Sequence, residues 1–327
     1  MDLRPWEKEL LSLIQRDFPL QPRPYKQLAE TLGVAEEEVL ESLSRLKSSG
    51  LIRLIGAIFQ PSAVGYRSTL AALSVPEAKV EQAAALINAY PGVSHNYLRN
   101  HRFNLWFTVA VPPGKEPEVK VQEFANRTGA RDYLFLPIVK TFKIAVILDV
   151  EASGGPSDPK TTTTETRFVL APEEIRLARA VQEDLPLVSR PFAQVAQEIN
   201  KTEAEILGWI KKMLSRGVIR RFAALLRHTR AGFTGNAMLA WRCPEEKLDL
   251  IGPRFAALAE VSHCYQRRSY PHWPYNLYTM IHGRNQGDCS AVIEEMIRLS
   301  GLKPPLVLYS LKEFKKSRLK LFWDEPR

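Results

Sequence analysis

Apolar residues recur at helical spacing early in the chain. Tyr25–Leu32, closed by Gly33, predicts one helix. Val39, Leu43 and Leu46 predict a second, which stops at Gly50. Leu51–Phe59 then reads as a short extended segment. Helix, turn, helix and wing is a winged helix-turn-helix pattern. The pattern changes afterwards. Ser68–Val75 predicts a strand, and Pro76 opens a helix running to about Tyr90. Val93–Arg99 and Phe103–Ala110 read as two strands joined by a tight connection. A helix over Pro117–Thr128 and strands from Tyr133 onward complete a β-α-β-β-α-β order, that of a ferredoxin-like sandwich.

The whole pattern occurs twice. SSGLIRLIGAIFQPSAVGY (48–66) corresponds to SRGVIRRFAALLRHTRAGF (215–233), with Ile52-Arg53 and Ile219-Arg220 at the same distance from Gly65 and Gly232. VSHNYLR (93–99) corresponds to VSHCYQR (261–267), Asn104-Leu105 to Asn276-Leu277, and KTFK (140–143) to KEFK (312–315). Phe192–Asn200 and Glu203–Leu214, followed by Gly217 and Val218–Leu226, repeat the helix-turn-helix and wing. Ordered matches of this kind mark a tandem duplication. Between the copies, EASGGPSDPKTTTTET (151–166) offers almost nothing apolar to bury and reads as a linker. The expected α+β organisation is a winged helix-turn-helix over 1–60 and a ferredoxin-like domain over 61–150. After the linker follow a second winged helix-turn-helix over 167–227 and a second ferredoxin-like domain over 228–327.

Charge adds a partner class. The chain carries a net +9, of which +2 falls in residues 1–150 and +7 in the remainder. Such a field favours an anionic partner: nucleic acid, phosphate or a polycarboxylate. No apolar run is long enough for a membrane span. The first apolar stretch, in MDLRPWEKELL, contains acids and does not read as a signal peptide. Cys243, Cys264 and Cys289 form no CxxC pair, which argues against a disulfide framework or a structural metal. A cytoplasmic location is the simplest expectation.

A helix-turn-helix suggests DNA, but its residues resist that reading. The second helix of copy one opens Ala35-Glu36-Glu37-Glu38, and that of copy two Thr202-Glu203-Ala204-Glu205. Groove-reading helices meet DNA with their N-terminal residues, and carboxylates there repel phosphate. Acidic residues also suit any helix N-terminus. DNA is not the expected partner.

The most informative segment is the polar strand. Alternation puts His95, Tyr97 and Arg99 on one face, and likewise His263, Tyr265 and Arg267. Imidazole, phenol and guanidinium repeated in both copies suggest a cavity for a polar ligand. The alternative is a set of interface residues between the copies, inherited together. The sequence that follows is dense in bases and aromatics, including His101 in copy one and a Tyr-Pro-His-Trp-Pro insertion in copy two. That composition suits a flat, conjugated, carboxylated molecule.

Two resemblances follow from these residues. The plan of both halves resembles the leucine-responsive/asparagine-type regulators. More specifically, IGAIF, GYRST, YPGVSHNYLRNHRFNLWFT, AGFTGN and VSHCYQRRSYPHWPYNLYTMIHG resemble the two subunit types of sirohaem decarboxylase, here in fused form. The resemblance implies removal of two acetate carboxyl groups from sirohaem, giving didecarboxysirohaem for d1-type or alternative haem biosynthesis. It implies no cofactor and no protein-bound metal, since the iron arrives with the substrate. His95, His101 and His263 are then expected as proton donors. Tyr97, Arg99, Tyr265, Arg267, Tyr275, His272 and Trp273 are expected to contact substrate, the arginines through its carboxylates. His282 is a weaker candidate, and His228 reads as structural. The two halves are expected to pair with each other, and further association is open. The competing reading is a tetrapyrrole-sensing DNA-binding transcription regulator with the same cavity.

Overall fold

The computed structural model describes residues 3–144, 167–226, 235–283 and 286–324. The linker 151–166 and His228 lie outside them. In chain order the first copy contributes α1 (Pro5–Arg16), α2 (Pro24–Leu32), α3 (Glu36–Ser48), β1 (Ile52–Phe59), β2 (Arg67–Ser74), α4 (Val80–Asn88), β3 (Val93–Arg99), β4 (Leu105–Val111), α5 (Pro117–Thr128), β5 (Asp132–Leu136) and β6 (Ile138–Ile144). The second contributes α6 (Pro172–Val181), α7 (Pro191–Glu198), α8 (Glu203–Ser215), β7 (Ile219–Leu226), β8 (Gly235–Trp241), α9 (Leu248–Ala257), β9 (Val261–Arg267), β10 (Leu277–Gly283), α10 (Gln286–Ser300) and β11 (Leu306–Lys316). Contacts divide the described residues into two compact units. One draws on residues 3–65 and 167–226, the other on 66–144, 235–283 and 286–324.

The first unit joins the two helix-turn-helix segments. Proline at the first turn of α2 and α7 starts each helix where its missing N–H costs nothing. A lone strand leaves a row of unpaired backbone groups. Here β1 and β7 satisfy each other as an antiparallel pair, with Ile55 opposite Ala224 and Ala57 opposite Phe222. The wing segment of each copy is therefore completed by the other copy. Phe222 packs against Phe18 and Phe192, each with ring centres 5.6 Å apart. Gly56 permits a close approach: a Cβ there would lie 2.6 Å from the Glu183 carbonyl oxygen. The acids opening α3 and α8 have structural partners. Glu38 accepts from Ala35 N–H at 3.0 Å, and Glu36 pairs with Arg23. Thr202 and Glu205 form a reciprocal capping box, and Glu203 pairs with Arg190.

In the second unit the strand order is β5-β2-β4-β3-β11-β8-β10-β9-β6. Only Pro137 separates β5 from β6, so the order closes on itself into a ring. The terminal strand of each copy crosses to the other. β11 pairs with β8 through Leu306–Tyr309 and with β3 through Ser310–Lys316. In the same way β5 pairs with β2, while β6 pairs with β9. The outer face is covered by α4 and α5 in copy one and by α9 and α10 in copy two, over two apolar cores. A third core fills part of the interior. It combines Phe103, Trp106 and Leu136 of copy one with Met238, Trp273, Tyr278 and Leu308 of copy two. Burying each such large side chain contributes about 1.5–3 kcal/mol. Phe103, expected to open a strand, instead lies in the loop before β4, where its ring enters this core.

Candidate active site

Every ladder between β3 and β9 is antiparallel, so these two strands run the same way around the ring. His95 and His263 consequently stand at the same rim. Cross-strand partners share a face. Tyr97 is opposite Trp106 and His95 opposite Thr108, and Trp106 belongs to the interior core. His95, Tyr97 and Arg99 therefore line the inside of the ring. His263, Tyr265 and Arg267 do the same, opposite Met280 and Tyr278. The intervening residues face the helices: Asn96 donates to Asn88 Oδ1 at 3.0 Å, and Cys264 is in the outer core.

A bulge sets the aim of each histidine. The β3–β4 register slips between Val93 and His95, and the β9–β10 register slips between Val261 and His263. Bulges re-aim side chains. The serine within each bulge shares a hydrogen bond with the following ring: Ser94 Oγ to His95 Nδ1 at 3.0 Å, and Ser262 Oγ to His263 Nδ1 at 2.9 Å. Each histidine lies beside the tyrosine two residues on, with ring centres 6.3 Å apart for His95–Tyr97 and 5.9 Å for His263–Tyr265. Sequence reasoning passed over these serines. Their recurrence in VSH and VSH was the available signal.

The arginines lie deeper. Arg99 is only 5% exposed and Arg267 8%. Arg99 donates from Nη1 to Leu308 O, and Arg267 from Nη1 to Leu136 O, both at 2.6 Å and both across the copy boundary. Each guanidinium also sits over its neighbouring tyrosine, 5.5 Å from the Tyr97 ring centre and 5.0 Å from that of Tyr265. Burial lowers the pKa of each to about 10, and the buried Nε of each has no hydrogen-bond partner among the described residues. The structure thus commits both side chains in part to joining the two copies.

His101, Tyr275, His272 and Trp273 are placed elsewhere. They follow the ends of β3 and β9, so they cluster at the rim opposite His95. Strand rise alone separates His95 from Arg99 by about 13 Å. Phe103 N–H donates to His101 Nδ1 at 3.1 Å, which leaves the proton of the neutral ring on Nε2. Burial, with Arg102 nearby, lowers the pKa of His101. The insertion of copy two turns back through a Tyr270–Trp273 bridge with exposed His272 at its tip. Trp273 enters the interior core, edge-on to His101 at 5.4 Å, and donates to Tyr278 Oη at 2.6 Å. Tyr275 packs against Trp273 at 4.9 Å. The side chain of His282 is outside the description.

Among the described residues no group of three or more His, Cys, Asp or Glu is placed to hold a metal ion. No described helix is long and apolar enough to cross a membrane. The arrangement offers two interior-facing Ser–His–Tyr sets related by an approximate dyad. They can donate hydrogen bonds or protons and can stack against a flat ligand.

Comparison with known proteins agrees with the duplicated plan. The family model for the Siroheme decarboxylase NirDL-like HTH domain matches residues 7–53 and 174–220. The model for the AsnC-like ligand binding domain matches 63–143 and 230–315. A siroheme decarboxylase of Hydrogenobacter thermophilus is 40% identical over 97% of this chain and 95% of its own. The siroheme decarboxylase NirDL subunit of Paracoccus denitrificans is 35% identical over 96% of this chain and 95% of its own. The crystal structure of the siroheme decarboxylase NirDL in co-complex with an iron-uroporphyrin III analogue superposes with a TM-score of 0.78. It is 35% identical and covers 96% of this chain and 94% of that one. With both family models matched twice and relatives aligned almost end to end, this chain belongs to the sirohaem decarboxylase family.

Proposed function

We propose that this chain removes the carboxyl groups of two acetate side chains of sirohaem, giving didecarboxysirohaem on a route to d1-type or alternative haem. The observation that carries the reading is the repeated Ser–His–Tyr set lining the inside of the closed sheet in a chain of this family. Loss of carbon dioxide leaves an electron pair on the carbon next to the macrocycle. The conjugated ring delocalises that pair, so no added cofactor is required, and the iron belongs to the substrate. A proton must then reach the carbon to complete the methyl group, which calls for a positioned acid. His95 and His263 are proposed for this step. Serine fixes Nδ1 of each ring and so sets the direction in which the ring faces the interior. Tyr97 and Tyr265 contact the macrocycle. Arg99 and Arg267 hold this wall in place and put positive charge behind the face that meets the substrate carboxylates. His101, with Nε2–H available at the other rim, is the third proposed donor. Tyr275, His272 and Trp273 shape that end. The three buried free thiols suit a reducing cytoplasm.

Duplex DNA is not a proposed partner, since α3 and α8 open on carboxylates, which repel phosphate where a groove-reading helix meets DNA. The test is mass spectrometry of sirohaem incubated anaerobically with the pure protein. Loss of two carbon dioxide units is expected. Bound sirohaem of unchanged mass would overturn the reading and favour a tetrapyrrole sensor.

A further inference from the structure

We infer that Lys316, supplied by the second copy, is the carboxylate anchor beside His95 on the inner face of the first copy's half of the ring. The inference rests on the tetrapyrrole reading of that face. It starts from the strand exchange. β11 crosses to β3 with Lys316 opposite His95 and Glu313 opposite Tyr97. Lys312 and Lys315 settle which way this strand faces. Lys312 pairs with Glu81 at 2.6 Å, and Lys315 donates to Asn88 O at 2.8 Å, both on the helix side. Glu313 and Lys316, each matched to an interior residue, therefore lie on the inner face of the ring. The chain just beyond Lys316 is fixed as well: Ser317 N–H donates to Ser94 O at 2.8 Å, at the bulge that aims His95.

At the equivalent register positions the second half has uncharged residues. β6 is the counterpart of β11, with Thr141 opposite Tyr265 and Ile144 opposite His263. Across the other ladder, Thr108 of the first half is replaced by Met280. Arg99 and Arg267 each spend a donor on a strand carbonyl. The register puts a lysine beside His95 where its dyad mate has an isoleucine, at the position where a substrate carboxylate would meet a histidine acid. An ammonium–carboxylate hydrogen bond there orients the anionic arm toward His95. The two halves then differ in what they hold: a charged arm against His95, a less charged edge against His263.

The experiment compares wild type with Lys316→Met, Lys316→Arg and Glu313→Gln, using anaerobic absorbance titration of sirohaem and steady-state decarboxylation. Lys316→Met should weaken sirohaem binding about tenfold, raise KM more than it lowers kcat, and reduce the salt dependence of binding. Lys316→Arg should recover most of the affinity. Glu313→Gln, which removes a charge of the wrong sign, should bind at least as tightly as wild type. Equal affinity and salt dependence for Lys316→Met and wild type would overturn the inference. So would a loss that Lys316→Arg fails to recover. If wild type binds sirohaem without decarboxylating it, the enzymatic reading fails. The titrations still decide whether Lys316 holds a carboxylate.

Discussion

At the scale of single residues, the dyad repeats the histidines but not their surroundings. In register, His95 is cross-strand from Thr108 and Lys316, whereas His263 is cross-strand from Met280 and Ile144. His101 has no histidine mate, since Ser269 takes its place in the repeat. Removing a general acid costs about 100-fold to 10,000-fold. His95→Ala and His263→Ala should each fall toward that range, and His101→Ala and His263→Ala should affect turnover unequally. Single-turnover rates for the three variants check this, and equal mild losses would undo the divergent-site argument. His101 also makes a pH prediction. Its folded-state pKa is depressed by burial and Arg102, so below about 6.5 the unfolded chain takes up this proton more readily. Its contribution is intact above that pH and is lost as pH falls through the folded value. His101→Phe should flatten the acid side of the stability profile, read by urea unfolding at several pH values.

At the scale of elements, two asparagines hold the strand ends that frame the interior core. Asn104 accepts from Val75 N–H at 3.0 Å and donates to Val75 O at 2.8 Å. Asn276 does the same to Cys243, at 2.9 and 2.7 Å. Each side chain replaces a missing ladder rung between β2 and β4 or between β8 and β10. Asn276→Ala strands two buried backbone groups and should cost about 2–4 kcal/mol. Asn104→Ala, at a less buried site, should cost less. Denaturant midpoints at constant slope measure both. The pair was legible as the repeat Asn-Leu, yet its role was not. A repeated asparagine in sequence does not reveal which carbonyl it reaches.

At the scale of the molecule, neither copy closes its own sheet. β11 completes copy one and β6 completes copy two, while β1 and β7 complete each other. Expressed as separate chains cut within 151–166, the two halves should re-associate one to one and regain sirohaem turnover. Either half alone should aggregate or self-associate through its exposed strand edges. Co-purification of differently tagged halves checks this, and a stable, monomeric single half would contradict the exchange.

The sequence by itself determined the duplication, the helix-turn-helix and ferredoxin-like elements, and the pair of polar strands. These are properties of local periodicity and of repeated motifs, which any folded form must honour. It also carried the family, through long runs such as YPGVSHNYLRNHRFNLWFT. Tertiary structure decided which strand lies beside which. The repeat of KTFK and KEFK predicts two equivalent strands but not that each serves the opposite copy. Register then set the site. It placed Lys316 beside His95 and sent His101 to the far rim. It also spent Arg99 and Arg267 on carbonyls distant in sequence. Strand pairing is a long-range choice, settled by the simultaneous demand to satisfy every backbone donor and to bury one shared core, and no local pattern contains it.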